Sequence, residues 1–259
     1  MKDEDYQKHP GLNYSGAKLI LRSPLHYVTK LNEPEDEEEN KALQIGTLTH
    51  LAALQPKLFE MSVKVIPECD RRTKDGKAIY EAFTAGLSPT DTAVKKEDYD
   101  LINSMGLAAR EAIKRLVPDD ATTTVEQAFF GQYKGKDIKG RPDMVVQLAS
   151  GERIIIDLKT TQDAKGFKRD VASFMYYLQA PWYMQLTGAK KFYFVALEKK
   201  EPFDYAIFEL DEEALAFGKL QMDLALDIWS NCVKFQSYPG YPKEPQMISL
   251  PKYAFEPNS

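Results

Sequence analysis

The segment that most constrains the fold is ERIIIDLKTT at residues 152–161, where three consecutive isoleucines are followed closely by Asp157 and Lys159. An uninterrupted run of β-branched residues predicts a buried strand. Side chains alternate along a strand, so Asp157 and Lys159 share one face while Ile154 and Ile156 point to the other. The strand is therefore predicted to have an apolar side that enters the core and a charged end on the opposite side.

A second strand, RPDMVVQL at residues 141–148, precedes this segment, and the three residues Ala-Ser-Gly join the two. Three-residue hairpin loops with a glycine in the left-handed region are common. With this loop the pairing places Asp143 directly opposite Asp157, where facing Cβ atoms are about 4.5–5.5 Å apart. We therefore predict that two carboxylates and the ammonium group of Lys159 meet at one edge of the sheet.

Two adjacent carboxylates repel each other, and a bound divalent cation removes that repulsion. Oxygen ligands suit Mg²⁺ or Mn²⁺, and Lys159 beside the metal would orient an attacking water. Glu126, on the preceding predicted strand, is expected within a residue or two of the level of Asp143. A surface hairpin with solvated charges is the alternative, because an Asp-x-Lys sequence is too short to be specific.

Composition restricts the class of protein. The chain has 259 residues and a net charge of -5, but six acidic residues fall in EPEDEEE at residues 33–39, which is predicted as an exposed loop. The remainder carries about +1, so charge neither supports nor excludes DNA as a ligand. Cys69 and Cys232 alone cannot hold a zinc ion or an iron–sulfur cluster. The chain has no apolar run of the ~20 residues that a membrane span needs and no secretory signal, so a cytoplasmic location is expected.

Apolar periodicity predicts a helical N-terminal part followed by alternating strands and helices, an α/β sandwich with mixed strand pairing. We expect one domain over residues 1–259, with a helical part at about 10–116, a sheet core at about 120–235 and an irregular tail at 236–259. Helices are predicted on either side of Ser23-Pro24 and at 40–54, 77–86, 96–116, 176–188 and 211–235, with a basic loop at 69–77. Strands are predicted at 122–133, 141–148, 153–161, 190–199 and 202–210, with a turn at KGKD, residues 134–137.

These residues resemble the PD-(D/E)XK nuclease superfamily, through RPD at Asp143 and DLK fourteen residues later. The RecB-like branch adds a histidine, a glutamate and a Q-x-x-x-Y motif, and the matching residues here are His50, Glu126, Gln179 and Tyr183. The segments YSGAKLILRSPLHY, IGTLTHLAALQPKLFE and DRRTKDGKAIYEAF look like the nuclease domain of the exonuclease VIII (RecE) family. The resemblance extends from about residue 10 to about residue 250.

The resemblance implies a mixed central sheet flanked by helices, with a helical N-terminal region. It also implies an Mg²⁺-dependent exonuclease that degrades the 5′-ended strand of linear double-stranded DNA and leaves a 3′ single strand for an annealing protein. Members of the family form rings, so a trimer or tetramer is expected, with no membrane partner. Because the family is associated with phage recombination, the resemblance implies a phage- or prophage-encoded protein in a bacterial cytoplasm.

Site residues follow from the same resemblance. Lys159 would position the water, Glu126 would assist a second metal or that water, and Gln179 and Tyr183 would face the scissile strand. Pro181 is expected in the first turn of a helix that starts near Leu178, because an interior proline breaks a helix. Mg²⁺ is the expected cation, with Mn²⁺ favoured somewhat by a histidine ligand. The metal ligands would be His50, Asp143, Asp157 and the backbone carbonyl of Leu158.

DNA contacts are predicted at seven residues, for each of which a solvated charge or an ordinary hydroxyl is the alternative. They are Arg22 and Ser23 for a 5′-phosphate, Arg71, Arg72 and Lys74 for the duplex, and Thr160 and Thr161 for the nearest phosphate. Three other functions stay open. One is a different RecB-like nuclease such as a Cas4-like enzyme, although such enzymes commonly need four cysteines. The others are an endonuclease with the same core and an inactive DNA-end-binding protein.

Overall fold

The computed structural model describes residues 3–33 and 41–250, so the predicted acidic loop lies almost wholly outside the described residues, as does the end of the tail. Its helices are α1 Asp3–Lys8, α2 Tyr14–Arg22, α3 Pro24–Asn32, α4 Lys41–Leu54, α5 Pro56–Ser62, α6 Lys74–Ala85, α7 Lys96–Leu116, α8 Phe167–Ser173, α9 Tyr176–Thr187 and α10 Glu212–Phe235. Its strands are β1 Val63–Val65, β2 Thr92–Val94, β3 Thr122–Val125, β4 Phe129–Tyr133, β5 Lys136–Gly140, β6 Met144–Gln147, β7 Arg153–Thr161, β8 Lys191–Glu198 and β9 Tyr205–Glu209.

The main sheet has five strands in the order β3-β6-β7-β8-β9. Strands β7 and β8 pair in parallel, while the other neighbours in this sheet are antiparallel. The parallel pair is joined through α8 and α9, which is the crossover that parallel strands require. The predicted α/β class, a mixed sheet flanked by helices, is therefore confirmed.

Strand β7 lies at the centre of the sheet and contributes to a hydrophobic core on each face. Ile154, Ile156 and Leu158 pack on one side with alanines of α4 and α7. Ile155 belongs to the opposite core, which α2, α9 and α10 help to form. The predicted alternation along this strand is confirmed, and burial on both faces makes β7 a rigid support for the residues at its end.

Helix boundaries follow the local sequence closely. The Asn13 side chain accepts a hydrogen bond from the backbone N–H of Gly16 (2.7 Å), which caps α2. Ser23 caps α3, whose first residue is Pro24, a position where the missing N–H costs nothing. Helix α7 spans Lys96–Leu116 as predicted and stops before Pro118.

The strand predicted at 122–133 is wrong as one element, because the structure has two. Glu126 adopts φ +52°, a left-handed conformation that ends β3, and the chain then turns to form β4. Strand β3 pairs with β6, while β4 pairs with β5 in a separate two-stranded sheet. The predicted turn at 134–137 is also shorter than expected, since β5 begins at Lys136.

Helix α9 begins at Tyr176, the first residue of the predicted helical segment 176–188, so the expected start near Leu178 is wrong and Pro181 lies beyond the first turn. Pro181 cannot donate to the carbonyl of Tyr177, and α10 approaches that carbonyl instead. A Cβ placed on Gly218 of α10 would lie only 1.8 Å from Tyr177 O, so this crossing requires glycine. The contact fixes α9 against α10 through the side of α9 that carries Tyr177 and Pro181.

The basic loop predicted at 69–77 ends early, since α6 begins at Lys74. The short elements α1, α5, α8, β1 and β2 have no counterpart in the sequence prediction, and strands of three residues leave too few positions for a periodic signal. Residues 237–250 form no regular element, as predicted for that part of the tail. Within the described residues, no helix combines the length and apolar character needed to cross a membrane. The assignment of 1–259 to a single domain stays a prediction.

Candidate active site

The hairpin of β6 and β7 has the predicted register. Met144 pairs with Ile156 and Gln147 pairs with Arg153, and one further step sets Asp143 against Asp157. The loop that joins the strands contains Gly151 at φ +88°, the left-handed position expected for a three-residue hairpin. The two aspartates therefore meet at the same end of the hairpin.

Asp143 is buried and is bound to the backbone of its neighbours. Its Oδ2 accepts a hydrogen bond from the N–H of Leu158 (2.7 Å), and its own carbonyl accepts one from the N–H of Glu126 (3.0 Å). Because β3, β6 and β7 are all joined at this residue, the Asp143 carboxylate has a fixed position with its second oxygen available for a ligand.

Asp157 has no solvent-exposed surface, yet it is surrounded by polar groups. The ammonium group of Lys159 contacts Oδ2, and Gln179 Nε2 donates to Oδ1 at 2.9 Å. Burial raises the pKa of Asp157 to about 6, although the Lys159 charge opposes that rise. A cation at this position would therefore stabilise the ionised carboxylate.

Lys159 is held between a carboxylate and an aromatic ring. Its Nζ lies 4.7 Å from the centre of the Tyr176 ring. Burial alone would lower the pKa of Lys159, but the carboxylates of Asp157 and Asp143 outweigh burial and raise it. The side chain therefore carries a positive charge under ordinary conditions.

His50 extends from α4 to the end of the hairpin. Its Nε2 is 3.0 Å from the carbonyl oxygen of Leu158, and its Nδ1 is 3.6 Å from Asp143 Oδ2. The structure thus brings His50, Asp143 and the Leu158 carbonyl together, whereas the Asp157 carboxylate is bound to Lys159 and Gln179 and is not a member of the cluster of ligand atoms around His50.

Glu126 joins this group because of its unusual backbone. The left-handed conformation after β3 directs its side chain toward His50 and Asp143, and ligand atoms of these three residues all lie within 4.8 Å of one another. Burial, and then the Asp143 charge, raise the pKa of Glu126 to about 7, while His50 and Arg141 oppose the rise. Carboxylates kept close together against repulsion suit a metal centre.

The chemistry of this donor set fits a hard divalent cation. Carboxylates and a backbone carbonyl are the oxygen ligands that Mg²⁺ and Mn²⁺ take, and one imidazole is compatible with Mn²⁺. The two free cysteines, Cys69 and Cys232, are distant in sequence, and neither belongs to the cluster of His50, Glu126 and Asp143. The site is therefore suited to a divalent cation bound mainly by oxygen.

Gln179 and Tyr183 lie one turn apart on α9, and both are buried. Gln179 reaches the site through Asp157, while burial and the charges of Asp157 and Asp143 raise the pKa of Tyr183. Sequence reasoning missed Tyr176, whose ring contacts Lys159. The helical spacing of 176, 179 and 183 places these three residues on one face of α9. This periodicity is the sequence signal that could have identified Tyr176.

Several of the predicted DNA contacts have other partners in this structure. Ser23 caps α3 and its Oγ is 2.6 Å from His26 Nδ1, while Arg22 donates to the Tyr241 hydroxyl at 3.3 Å. Thr161 is buried, and its hydroxyl donates to Asp170 (2.7 Å). Thr160 precedes it at the end of β7.

In the basic cluster at 71–74, the two arginines interact with the loop itself and with α6, which follows it. The Arg71 guanidinium lies 3.9 Å from the centre of the Tyr80 ring, and Arg72 Nε donates to Asp70 at 3.0 Å. Lys74 is the first residue of α6. DNA-contact roles for these seven residues stay predictions.

Residues 13–251 match the family described as a PDDEXK-like domain of unknown function (DUF3799), and the chain belongs to that family. It also shares the fold of a provisionally named exonuclease of Eubacterium rectale, at 14% identity and a TM-score of 0.59, over 94% of this chain and 96% of that one. No curated protein matches the chain significantly in sequence.

Weaker structural matches are an alkaline exonuclease of Laribacter hongkongensis and a phage-related exonuclease of Haemophilus somnus. The first has 14% identity and a TM-score of 0.35 over 73% of this chain and 90% of that one. The second has 14% identity and a TM-score of 0.35 over 90% and 100%. The family match itself confirms the predicted PD-(D/E)XK-like domain.

Proposed function

We propose that this protein is an Mg²⁺-dependent exonuclease that degrades the 5′-ended strand of linear double-stranded DNA and leaves a 3′ single strand for an annealing protein. The observation that carries the proposal is the convergence of His50, Asp143, Asp157 and Lys159 at one end of the β6–β7 hairpin. The exonuclease name of the Eubacterium rectale protein, whose fold the chain shares, favours cleavage from an end.

Four ligands would hold the cation: His50, Asp143, Asp157 and the carbonyl of Leu158. When bound, a divalent cation supplies charge that polarises a phosphodiester and lowers the pKa of a coordinated water. Glu126 stands beside His50 and Asp143, where it would assist a second cation or the attacking water. The protein contributes a preformed set of ligands held by the β6–β7 hairpin and by α4.

Lys159 would align the attacking water. An ammonium group has three N–H donors. The Asp157 carboxylate accepts from Lys159 and the Tyr176 ring supports the charge, so the remaining donors can reach a water and a phosphate oxygen. Gln179 binds the other oxygen of Asp157 and keeps the carboxylate from rotating away. A positive charge fixed at the reacting phosphate stabilises the negative charge that develops during hydrolysis.

The assembly and setting are proposed from the family resemblance. A ring of three or four chains would enclose the duplex and keep it bound through topology, so the net charge of -5 would not prevent DNA binding. Only the channel needs a positive potential. A role in phage or prophage recombination, in a bacterial cytoplasm, follows from the same resemblance.

The test uses linear duplexes labelled at either the 5′ or the 3′ end, with a closed circular duplex as control, in Mg²⁺, in Mn²⁺ and with a chelator. The proposal predicts early release of the 5′ label, late release of the 3′ label and an intact circle. Early release from 3′ ends contradicts the polarity, and cleavage of the circle identifies an endonuclease. Binding of ends without any hydrolysis identifies an inactive end-binding protein.

A further inference from the structure

A second lysine lies beside the site without belonging to any predicted set. Lys18 is on α2, half-buried, and its Nζ lies 4.7 Å from the centre of the Tyr14 ring one turn earlier. Tyr14 is buried, and its hydroxyl donates to the carbonyl oxygen of Phe174 (2.8 Å), immediately before α9. The aromatic ring under Lys18 is therefore fixed at the beginning of α9.

The ring that supports Lys159 belongs to the same part of the molecule. Tyr176, the first residue of α9, has the Lys159 ammonium group 4.7 Å from its ring centre. Two lysines thus lie on two tyrosine rings at one end of one helix. Burial, and then the nearby Lys159 charge, lower the pKa of Lys18, which agrees with this arrangement.

The two ammonium groups differ in their anionic partners. Lys159 contacts the Asp157 carboxylate, whereas Lys18 forms no ion pair within residues 6–33 and 41–250. Two neighbouring cations repel each other, and partial burial weakens the hydration of each. An anion that bound close to both ammonium groups would offset their mutual repulsion and replace the lost hydration. The phosphates of a DNA strand are such anions.

We propose that Lys18 is a phosphate-binding residue of this site, whose ammonium group holds a backbone phosphate of the same DNA strand that Lys159 prepares for cleavage. The proposal rests on the proposed nuclease function. Lys18 would contact the phosphate before and during the reaction, so its energy would contribute to binding rather than to kcat. Tyr14 would be a positioning residue whose ring holds the Lys18 ammonium group in place.

The alternative is that Lys18 only packs its aliphatic stem on Tyr14, as long charged side chains commonly do. Lys18→Met separates the two roles because it keeps an unbranched apolar stem and removes the charge. Lys18→Arg keeps the charge. Lys219→Met is the matched control, because Lys219 is an exposed lysine of α10 that belongs to no proposed site.

The experiment measures steady-state hydrolysis of a linear duplex in Mg²⁺ and, with a chelator present, duplex binding by fluorescence anisotropy over a series of salt concentrations. Lys18→Met is expected to raise KM and Kd about 10- to 100-fold, with kcat within about threefold of wild type. The slope of log K against log salt should fall by about 0.9, the value for one lost phosphate contact on duplex DNA. Lys18→Arg should restore most of the affinity and most of the salt slope.

The proposal is overturned if Lys18→Met has the same Kd and the same salt slope as Lys219→Met. It is also overturned if the wild-type chain does not bind DNA. If the wild-type chain binds duplex but hydrolyses none, the proposed function fails, and the salt slope still decides the role of Lys18. Thermal unfolding checks each variant, and Lys18→Gln replaces Lys18→Met in all comparisons if methionine lowers Tm.

Discussion

Two largely buried lysines, Lys139 on β5 and Lys159 on β7, have opposite surroundings. Lys139 is 7% exposed, and its ammonium group donates to three backbone carbonyls, those of Tyr6, Gln7 and His9. The Lys159 side chain is 14% exposed, and its partner is the carboxylate of Asp157. All three donors of Lys139 are bound to backbone carbonyls, while Lys159 is paired with a carboxylate.

The difference in surroundings distinguishes a lysine with a structural role, Lys139, from a lysine placed to act in catalysis, Lys159. Burial lowers the pKa of Lys139, since carbonyl oxygens accept its hydrogen bonds without supplying a countercharge. At Lys159 the carboxylates of Asp157 and Asp143 outweigh burial, and the pKa rises. Lys139 closes the segment between α1 and α2, whereas Lys159 maintains a charge where a substrate would bind.

The largest expected effect is on catalysis by the Lys159 region. Lys159→Met is expected to lower kcat on linear duplex DNA about 10²- to 10³-fold, because it removes the charge that aligns the water and opposes developing negative charge. The measurement is single-turnover hydrolysis in Mg²⁺, with Lys139→Met as the buried-lysine control. A Lys159→Met variant as active as Lys139→Met would remove the distinction between the two lysines.

For stability, the larger effect is expected from the substitution of Lys139. Lys139→Met should lower the free energy of unfolding by about 1–3 kcal/mol, because three backbone carbonyls lose their donor together. Urea denaturation of the metal-free protein measures this value, and the rate constant per folded molecule should stay near that of wild type. Unchanged stability would show that water replaces the ammonium group and that Lys139 does not close this segment.

Binding of a divalent cation should distinguish the two lysines further, because the proposed cation site lies beside Lys159 and not beside Lys139. At a concentration of 100 Kd, Mg²⁺ should stabilise the wild-type protein by about 2.7 kcal/mol, and the Lys139→Met variant by the same increment. Asp143→Asn should lose most of that increment, since a carboxylate ligand becomes a neutral amide. Thermal unfolding with and without Mg²⁺ or Mn²⁺ measures the difference. An undiminished increment in Asp143→Asn would place the cation elsewhere.

The smallest effect is expected for a cation that is not buried at all. Arg72 is exposed and pairs with Asp70 in its own loop. Arg72→Ala should change Kd for duplex DNA by less than about threefold at physiological salt, because water and ions screen an exposed charge. Anisotropy measures the effect beside Lys18→Met. A tenfold loss would instead make the loop at 71–74 a principal DNA contact.

Local sequence was sufficient for the centre of this site. The Ala-Ser-Gly loop set the register that brings Asp143 to Asp157, and alternation set the two faces of β7. The cap on α3 was also readable, since serine before proline is a common helix start. These features depend on neighbours a few residues apart, so one sequence carries their signal.

Other features depend on contacts that the sequence does not display. The left-handed conformation of Glu126 gives no sequence signal, because non-glycine residues rarely adopt it. Tyr14, whose ring lies against Lys18, meets the beginning of α9 about 160 residues further along the chain through a hydroxyl-to-carbonyl hydrogen bond. Helix periodicity could place Tyr176 with Gln179 but could not show which lysines would lie nearby.

The most direct test of the account measures hydrolysis and end binding in parallel for the wild-type chain and Asp157→Ala, on one linear duplex in Mg²⁺. If the β6–β7 hairpin carries the reaction, the wild-type chain releases nucleotides, and Asp157→Ala binds the ends but releases none above the chelator control. Full hydrolysis by Asp157→Ala would contradict the assignment of this hairpin as the active site.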